Sequence, residues 1–351
     1  MIDPDTATKV DPARLLTFLN DVFEERETEL GIAPVSGGLS NLLFRVDHGA
    51  RRLALRRPPM TPVDASSNDI SREIRLLKAL GRTSVPHARL LASEETGSVI
   101  GAPFALLEWV DGFAPRSPLP PAFRDDDAKT RMGEEIVDAL AMLHAVDWRA
   151  IGLSDFGRPD NFLERQVDRW EKQLARSGGR KLDGFVRLAR LLRDEMPKSR
   201  QISLIHGDYQ FVNVMFAPAT PPRLSAIVDW ELATIGDPML DLGWLLASWR
   251  DEGEPESFAP YLDWNGFPPR ADMAARYAQA SGLDVGALPY YMALASFKLA
   301  VILEGWYQRY LAGQSTLERH ASMEYGVPRM LERALQLARW SGGPLLSEQS
   351  I

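Results

Sequence analysis

Three polar residues stand out by type and spacing: Asp208, Asn213 five positions later, and Asp229 sixteen beyond that. Asp208 ends Leu204-Ile205-His206-Gly207-Asp208, just after a short apolar run, and Asp229 directly follows a second run, Ala226-Ile227-Val228. A carboxylate on a loop that leaves a buried strand sits on a rigid base, where it can accept or orient the proton of an acceptor hydroxyl. An Asn one loop-turn later and a second Asp at a strand end are hard oxygen ligands. Mg²⁺ usually takes only one or two such ligands from protein and the rest from phosphates and water. The chemistry within reach of this set is phosphoryl transfer from Mg²⁺-bound ATP to a hydroxyl, achieved mostly by positioning and electrostatics.

Such a set needs elements to hold it. Asp11-Pro12 reads as helix cap and first helical residue, with Leu15, Leu16, Leu19, Val22 and Phe23 as one apolar face. Leu42–Val46 and Arg52–Arg57 read as strands around a turn at Asp47-His48-Gly49. Ile70, Ile74, Leu77 and Leu80 step at helical spacing, so Ser71–Leu80 is a predicted helix with Glu73 off its apolar stripe. Phe104–Val110 reads as a further strand, closed by Asp111-Gly112. A proline-rich connector (Pro115, Pro118, Pro120, Pro121) then marks a change of composition. Helical patterns follow at Lys129–Val146, Asn161–Arg176, Leu182–Glu195, Asp241–Arg250, Met273–Gly282, Pro289–Leu311 and Met323–Trp340, interrupted by the apolar runs Ile202–Ile205 and Ser225–Val228. The predicted organisation is α+β: a β-rich nucleotide-binding lobe with its N-terminal helix over residues 1–110, and a helical catalytic and substrate lobe over 111–351, with a hinge near 108–113.

Composition narrows the partners. The 351 residues carry a formal net charge of −8, which is no footprint for nucleic acid. There is no cysteine, which excludes disulfides, thiolate metal sites and a Cys nucleophile and fits a reducing, cytoplasmic setting. No apolar run is long enough to span a bilayer, and MIDPDTATKVDP lacks the apolar core of a signal peptide.

His206-x-Asp208 followed by four residues and Asn213 is the spacing of a kinase catalytic loop, and Asp229 stands where kinases place a metal-chelating Asp. The phrases LIHGDYQFVNVMF and SAIVDWELATIGDPMLDLGWLLA resemble the corresponding regions of aminoglycoside-phosphotransferase-like kinases, a group that includes choline kinases. RRLALRRPP, REIRLLKAL and KLAVILEGWYQRYLAG extend the resemblance over most of residues 30–335. LRRPP, DFGRPDNFLERQVDRW and DWELATIGDP resemble the branch fused to acyl-CoA dehydrogenases. The resemblance implies a bilobal protein-kinase-like fold, Asp208 as catalytic base, Asn213 and Asp229 as metal ligands, and His206 as support for the loop. It also implies that Asp241 holds the loop backbone from the next helix.

In the small lobe, Leu53-Ala54-Leu55-Arg56 matches the kinase strand that carries Ala and Lys two residues apart. Alternation puts Ala54 and Arg56 on one face, Ala54 as roof of the adenine pocket and Arg56 at the phosphates; arginine departs from the usual lysine and binds phosphate bidentately. Glu73 is the predicted partner of Arg56. Ser36, Gly37, Gly38, Leu39 and Ser40 are the predicted loop over the phosphates, although they are not G-x-G-x-x-G. Backbone groups of Glu108 and Val110 are expected at the adenine edge. The resulting expectation is a small-molecule kinase, with a hydroxyacyl-CoA or similar alcohol as acceptor. Aminoglycoside or choline-type kinases, and a nucleotide-binding protein without transfer, are the alternatives.

Several features read as structural. Asp155-Phe156-Gly157 has the letters of a kinase metal motif but precedes the catalytic loop, so it is expected to be a turn. His144 reads as a packed histidine at a helix end, and Asp125-Asp126-Asp127 as partners of a helix N-terminus. Trp244, Trp249 and Trp306 read as core or pocket wall. The helix before the catalytic loop is partly basic (Arg165, Arg169, Lys172, Arg176, then Arg180 and Lys181). Asp251, Glu252, Glu254 and Glu256 read as an exposed loop, and SGGPLLSEQSI as a frayed tail.

Overall fold

The computed structural model describes residues 10–35, 41–58, 70–198, 201–254 and 260–345. In chain order its elements begin with α1 Pro12–Phe23, β1 Leu30–Pro34, β2 Leu42–His48, β3 Arg51–Arg57, α2 Ile70–Leu80, β4 Leu90–Glu94 and β5 Phe104–Glu108. They continue with α3 Asp126–His144, α4 Glu164–Arg176, α5 Asp183–Asp194, β6 Ser203–Ile205, β7 Val214–Phe216, β8 Leu224–Ile227 and β9 Thr234–Gly236. The last are α6 Met239–Ser248, α7 Arg270–Ser281, α8 Leu288–Leu311, α9 Glu318–Ala321 and α10 Met323–Leu337. The chain divides into two compact units: Met1–Phe113 with Arg149–Leu153 and Ser225–Leu232, and the remainder.

In the first unit, β1-β2-β3-β5-β4 form one antiparallel sheet. One face of it is apolar by alternation: Phe44 and Val46 of β2, Leu53 and Leu55 of β3, and Phe104 and Leu106 of β5 pack with Leu15 and Leu19 of α1. Full burial of each such side chain is worth about 1.5–3 kcal/mol. Asp11 caps α1 by accepting from the Ala13 and Arg14 amides. Val22, expected on the apolar face, is 36% exposed in the last turn of α1. The β2–β3 turn falls at Gly49-Ala50 rather than Asp47-His48-Gly49, because buried His48 is held in β2 by Asn20 Oδ1 at 3.0 Å. β5 ends at Glu108 rather than Val110. Beyond it, the Trp109 indole turns to bond Asp111.

The second unit is mainly helical. α8 packs against α6, α10, α4 and α5, and α3 packs against α7. Asp125 caps α3 through the Ala128 amide, and Asp126 and Asp127 occupy its first turn, as expected of that acidic run. Asp155-Phe156-Gly157 is a turn with Phe156 buried. Gly157 is required there because a Cβ would lie 2.6 Å from the Ile235 backbone nitrogen.

The acidic run after α6 corrects the sequence reading. Asp251 and Glu254 are buried rather than exposed, and Glu256 lies outside the described residues. Both carboxylates pair with the fully buried Arg270, at 2.8 Å each, and Glu254 also meets Arg333 at 3.0 Å. Glu254 further accepts from the Leu345 amide at 2.7 Å, which ties down the start of the tail that read as frayed. Burial works against the Glu254 charge, but Arg270 and this amide outweigh it and hold the pKa below the usual carboxylate value. Glu254→Ala would take the carboxylate partner from Arg333 and one of two from Arg270, so a loss of about 3–5 kcal/mol is expected in urea unfolding. A loss under about 1 kcal/mol would place the cluster with inert surface pairs.

Candidate active site

His206, Asp208 and Asn213 lie in the second unit. β6 is fully buried, pairs with β9, and delivers His206, Gly207 and Asp208 to the loop. Gly207 has φ +82°, a conformation that costs a side-chain-bearing residue and suits glycine. Asp241, in the first turn of α6, clamps this turn: one carboxylate oxygen accepts from the His206 amide at 2.6 Å and the other from the Gly207 amide at 2.8 Å. Burial alone would raise the Asp241 pKa. Hydrogen bonds from His144 and the His206 amide reverse this and lower it. His144 is the packed histidine expected, bonded to Tyr277 Oη at 2.6 Å and Asp241 at 3.3 Å.

Asp208 is partly exposed, and both its oxygens are oriented by amides: Oδ1 by Gln210 Nε2 and Oδ2 by Asn213 Nδ2, each at 2.8 Å. Asn213 Nδ2 also donates to the Asp208 carbonyl at 2.8 Å. With its nitrogen facing Asp208, Asn213 keeps its oxygen for another partner. His206 is fully buried and receives the Asp208 amide on Nδ1 at 3.3 Å. It is a positioning residue, with no surface for a substrate.

Arg56, Glu73 and Asp229 belong to the first unit. Ala54 and Arg56 share a face of β3, opposite the apolar face of Leu53 and Leu55. Arg56 Nε lies 2.9 Å from Glu73, and Nη2 lies 2.7 Å from Asp229 and 3.6 Å from Glu231. Glu73 is only 4% exposed, so it is not off the buried face of α2 as its spacing suggested; the inward position serves the arginine. Burial opposes the charge of Arg56, but Glu73, Asp229 and Glu231 outweigh it and raise its pKa. Burial also pushes Glu73 up, against the pull of Arg56 and with help from Asp229. Asp229 has φ +66°, a left-handed backbone that Asp and Asn tolerate better than other side chains. Of the arginine cluster on β3, Arg51 and Arg52 are exposed while Arg57 is buried, so only the first two behave as a solvated edge.

Three carboxylates around one guanidinium leave an excess of negative charge, which fits a divalent cation there. Among the described residues no group of three or more His, Asp and Glu has metal-site geometry. A Mg²⁺ ion that draws most ligands from phosphates and water needs no such group. Ser36, Gly37, Gly38, Leu39 and Ser40 lie outside the described residues. The Glu108 amide donates to the Arg89 carbonyl at 2.9 Å, and its carboxylate holds Arg89 at 2.7 Å, so any adenine contact from Glu108 falls to its carbonyl. Val110 lies just past the end of β5.

Gln210, Glu231 and Lys298 were not singled out by sequence reasoning. Gln210 and Glu231 lie two residues from Asp208 and Asp229, which was the available signal. Lys298 Nζ donates to the Gly207 carbonyl at 2.7 Å from α8, far along the chain, and no local pattern points to it. Burial lowers its pKa, and Asp208 and Asp241 partly restore it.

Residues 31–278 match the phosphotransferase enzyme family. Acyl-CoA dehydrogenase family member 11 of Pongo abelii is 30% identical over 342 residues, which are 94% of this chain and 43% of that protein. The chain spans less than half the length of the curated relatives it matches. A provisionally assigned aminoglycoside phosphotransferase of Ralstonia eutropha JMP134 superposes with a TM-score of 0.82 at 30% identity, over 94% of this chain and 98% of that one. Choline kinase of Cryptosporidium parvum Iowa II gives 0.66 at 11% identity, over 94% and 97%, and shares the fold. The N-terminal antiparallel sheet and mainly helical C-terminal part are therefore the kinase-like α+β fold expected. No helix among the described residues is long and apolar enough to cross a membrane.

Proposed function

This chain belongs to the phosphotransferase enzyme family, and we propose that it moves the γ-phosphoryl group of ATP, with Mg²⁺, to a hydroxyl of a small molecule. The observation that carries this reading is the Asp208 carboxylate, oriented by Gln210 and Asn213 on a turn clamped by Asp241. Asp208 takes the proton of the acceptor hydroxyl as its oxygen bonds to phosphorus and the bond to ADP breaks. Asn213 and Asp229 would each offer an oxygen to the metal, which would supply charge neutralisation at the phosphates. Arg56, kept charged and oriented by Glu73, takes the lysine's place at the phosphates. A nucleotide-binding protein without transfer has no need of Asp208, Asn213, Asp229 and Arg56 together.

The proposed acceptor is a hydroxylated acyl thioester or a similar neutral-to-anionic alcohol. In support, the curated relative is named for an acyl-CoA dehydrogenase, and more than half of its length lies outside the match. A polycationic aminoglycoside calls for several convergent carboxylates. Of the acids after α6 that could have served, Asp251 and Glu254 are engaged by Arg270 and Arg333.

The metal assignment is tested by thermal shift with MgATP. Wild type and Asp155→Ala should both gain stability, about 2.7 kcal/mol at a hundredfold excess over Kd. Asp229→Asn, which suits the left-handed backbone, should lose the gain. Loss in Asp155→Ala with retention in Asp229→Asn would overturn the assignment.

A further inference from the structure

Lys298 has surroundings that a simple brace for the Gly207 carbonyl would not require. Its ammonium lies 4.1 Å from the ring centroid of Trp244 and 5.8 Å from that of Trp170. Arg169 adds a guanidinium 5.3 Å from the Trp170 centroid. Aromatic faces gathered around a cation are the means by which proteins recognise quaternary ammonium ligands. Here the cation belongs to the chain. The carbonyl it bonds is that of Gly207, the residue before Asp208, so the charge stands beside the proposed base. A neutral donor could brace that carbonyl, whereas a half-buried ammonium carries a desolvation cost.

We propose that Lys298 determines acceptor specificity: it fills the Trp170–Trp244 pair that an ammonium-bearing alcohol would need, and it presents its own charge to an acceptor with an anionic group near the hydroxyl. This inference rests on the reading of Asp208 as the acceptor's base. Gly207 takes one of the three ammonium protons, which leaves two for an acceptor oxygen. A cationic alcohol would have to displace Lys298 and then lie near Arg169, so it is refused by occupancy and by like charge.

Choline binding by titration calorimetry and the kcat/KM ratio for glycerate over choline test this in wild type, Lys298→Ala and Lys298→Arg. Wild type and Lys298→Arg should bind choline only weakly, and Lys298→Ala at least about tenfold tighter than either. The glycerate-to-choline ratio should fall by about tenfold or more in Lys298→Ala. Lys298→Gln, which keeps a donor for Gly207, should shift the ratio the same way and stands in should the alanine variant fail to fold. Equal choline binding in wild type and the uncharged variants, or a kcat loss with the ratio unchanged, would overturn the proposal. If no acceptor is phosphorylated by any of the proteins, the functional reading fails, and the calorimetry still decides the role of Lys298.

Discussion

Asp208→Ala is expected to abolish phosphoryl transfer while leaving nucleotide binding nearly intact. In the proposed mechanism the side chain touches the acceptor, and removing a base held in place by two amides forfeits both its proton affinity and its alignment. A loss of several orders of magnitude is expected, more than about 4 kcal/mol of barrier. The fold should tolerate the change. Asn213 Nδ2 also bonds the main-chain carbonyl of residue 208, and Asp241 grips the amides of the two residues before it. Coupled ATP turnover and equilibrium dialysis with nucleotide would separate the two effects. Activity within about tenfold of wild type, under about 1.4 kcal/mol, would remove Asp208 from the mechanism.

Arg56→Ala is expected to damage both activity and stability, and Arg56→Lys to retain part of each. Alanine leaves Glu73, Asp229 and Glu231 without their shared cation, and Glu73 is buried. Breaking a buried pair by removing one partner costs about 3–5 kcal/mol. Glu73 already has a raised pKa, so its folded form binds a proton more readily than the unfolded chain. Stability therefore falls as pH rises from the unfolded value through the raised one. Losing Arg56 raises that pKa further, so the variant's deficit should be largest at neutral pH and shrink as pH falls toward the ordinary carboxylate range. Arg56→Ala combined with Glu73→Gln should recover much of the loss in a double-mutant cycle read by urea unfolding. Equal activity of the Ala and Lys variants, together with a pH-independent deficit, would return Arg56 to a solvated strand edge.

The fold was legible wherever local spacing decides it. The α1 cap at Asp11-Pro12, the helical run after Ile70 and the long α8 appear close to their predicted bounds because cap chemistry and apolar periodicity act over a few residues. The candidate site was legible through Asp208, Asn213 and Asp229, whose spacing reflects loop length, and through Ala54 and Arg56, whose spacing reflects strand alternation. What stayed hidden depends on partners distant in sequence. Glu73 pairs with Arg56 as expected, and only its burial went unread, because its own helix gives no reason for it. Asp251 and Glu254 looked like a loose acidic loop because Arg270 and Arg333 follow many residues later. Lys298 gave no signal because a lysine on an apolar helix is recognisable only once Gly207, Trp170 and Trp244 surround it.

Between Asp208 and Asn213 the chain makes a short 3₁₀ turn whose first residue, Phe211, is fully buried. Its ring lies 5.7 Å from Trp249, 5.8 Å from Trp264 and 5.3 Å from Phe267, and the two indoles are themselves 5.1 Å apart. Indole transitions this close and tilted by 48° couple, so the pair should give a strong near-ultraviolet circular dichroism band whose sign and size depend on their mutual angle. The turn from Phe211 to Asn213 thus has a native optical reporter. Loosening of the Phe211 anchor would register as a change in that band before helix content falls, and the seating of Asp208 and Asn213 could be followed in solution without a label.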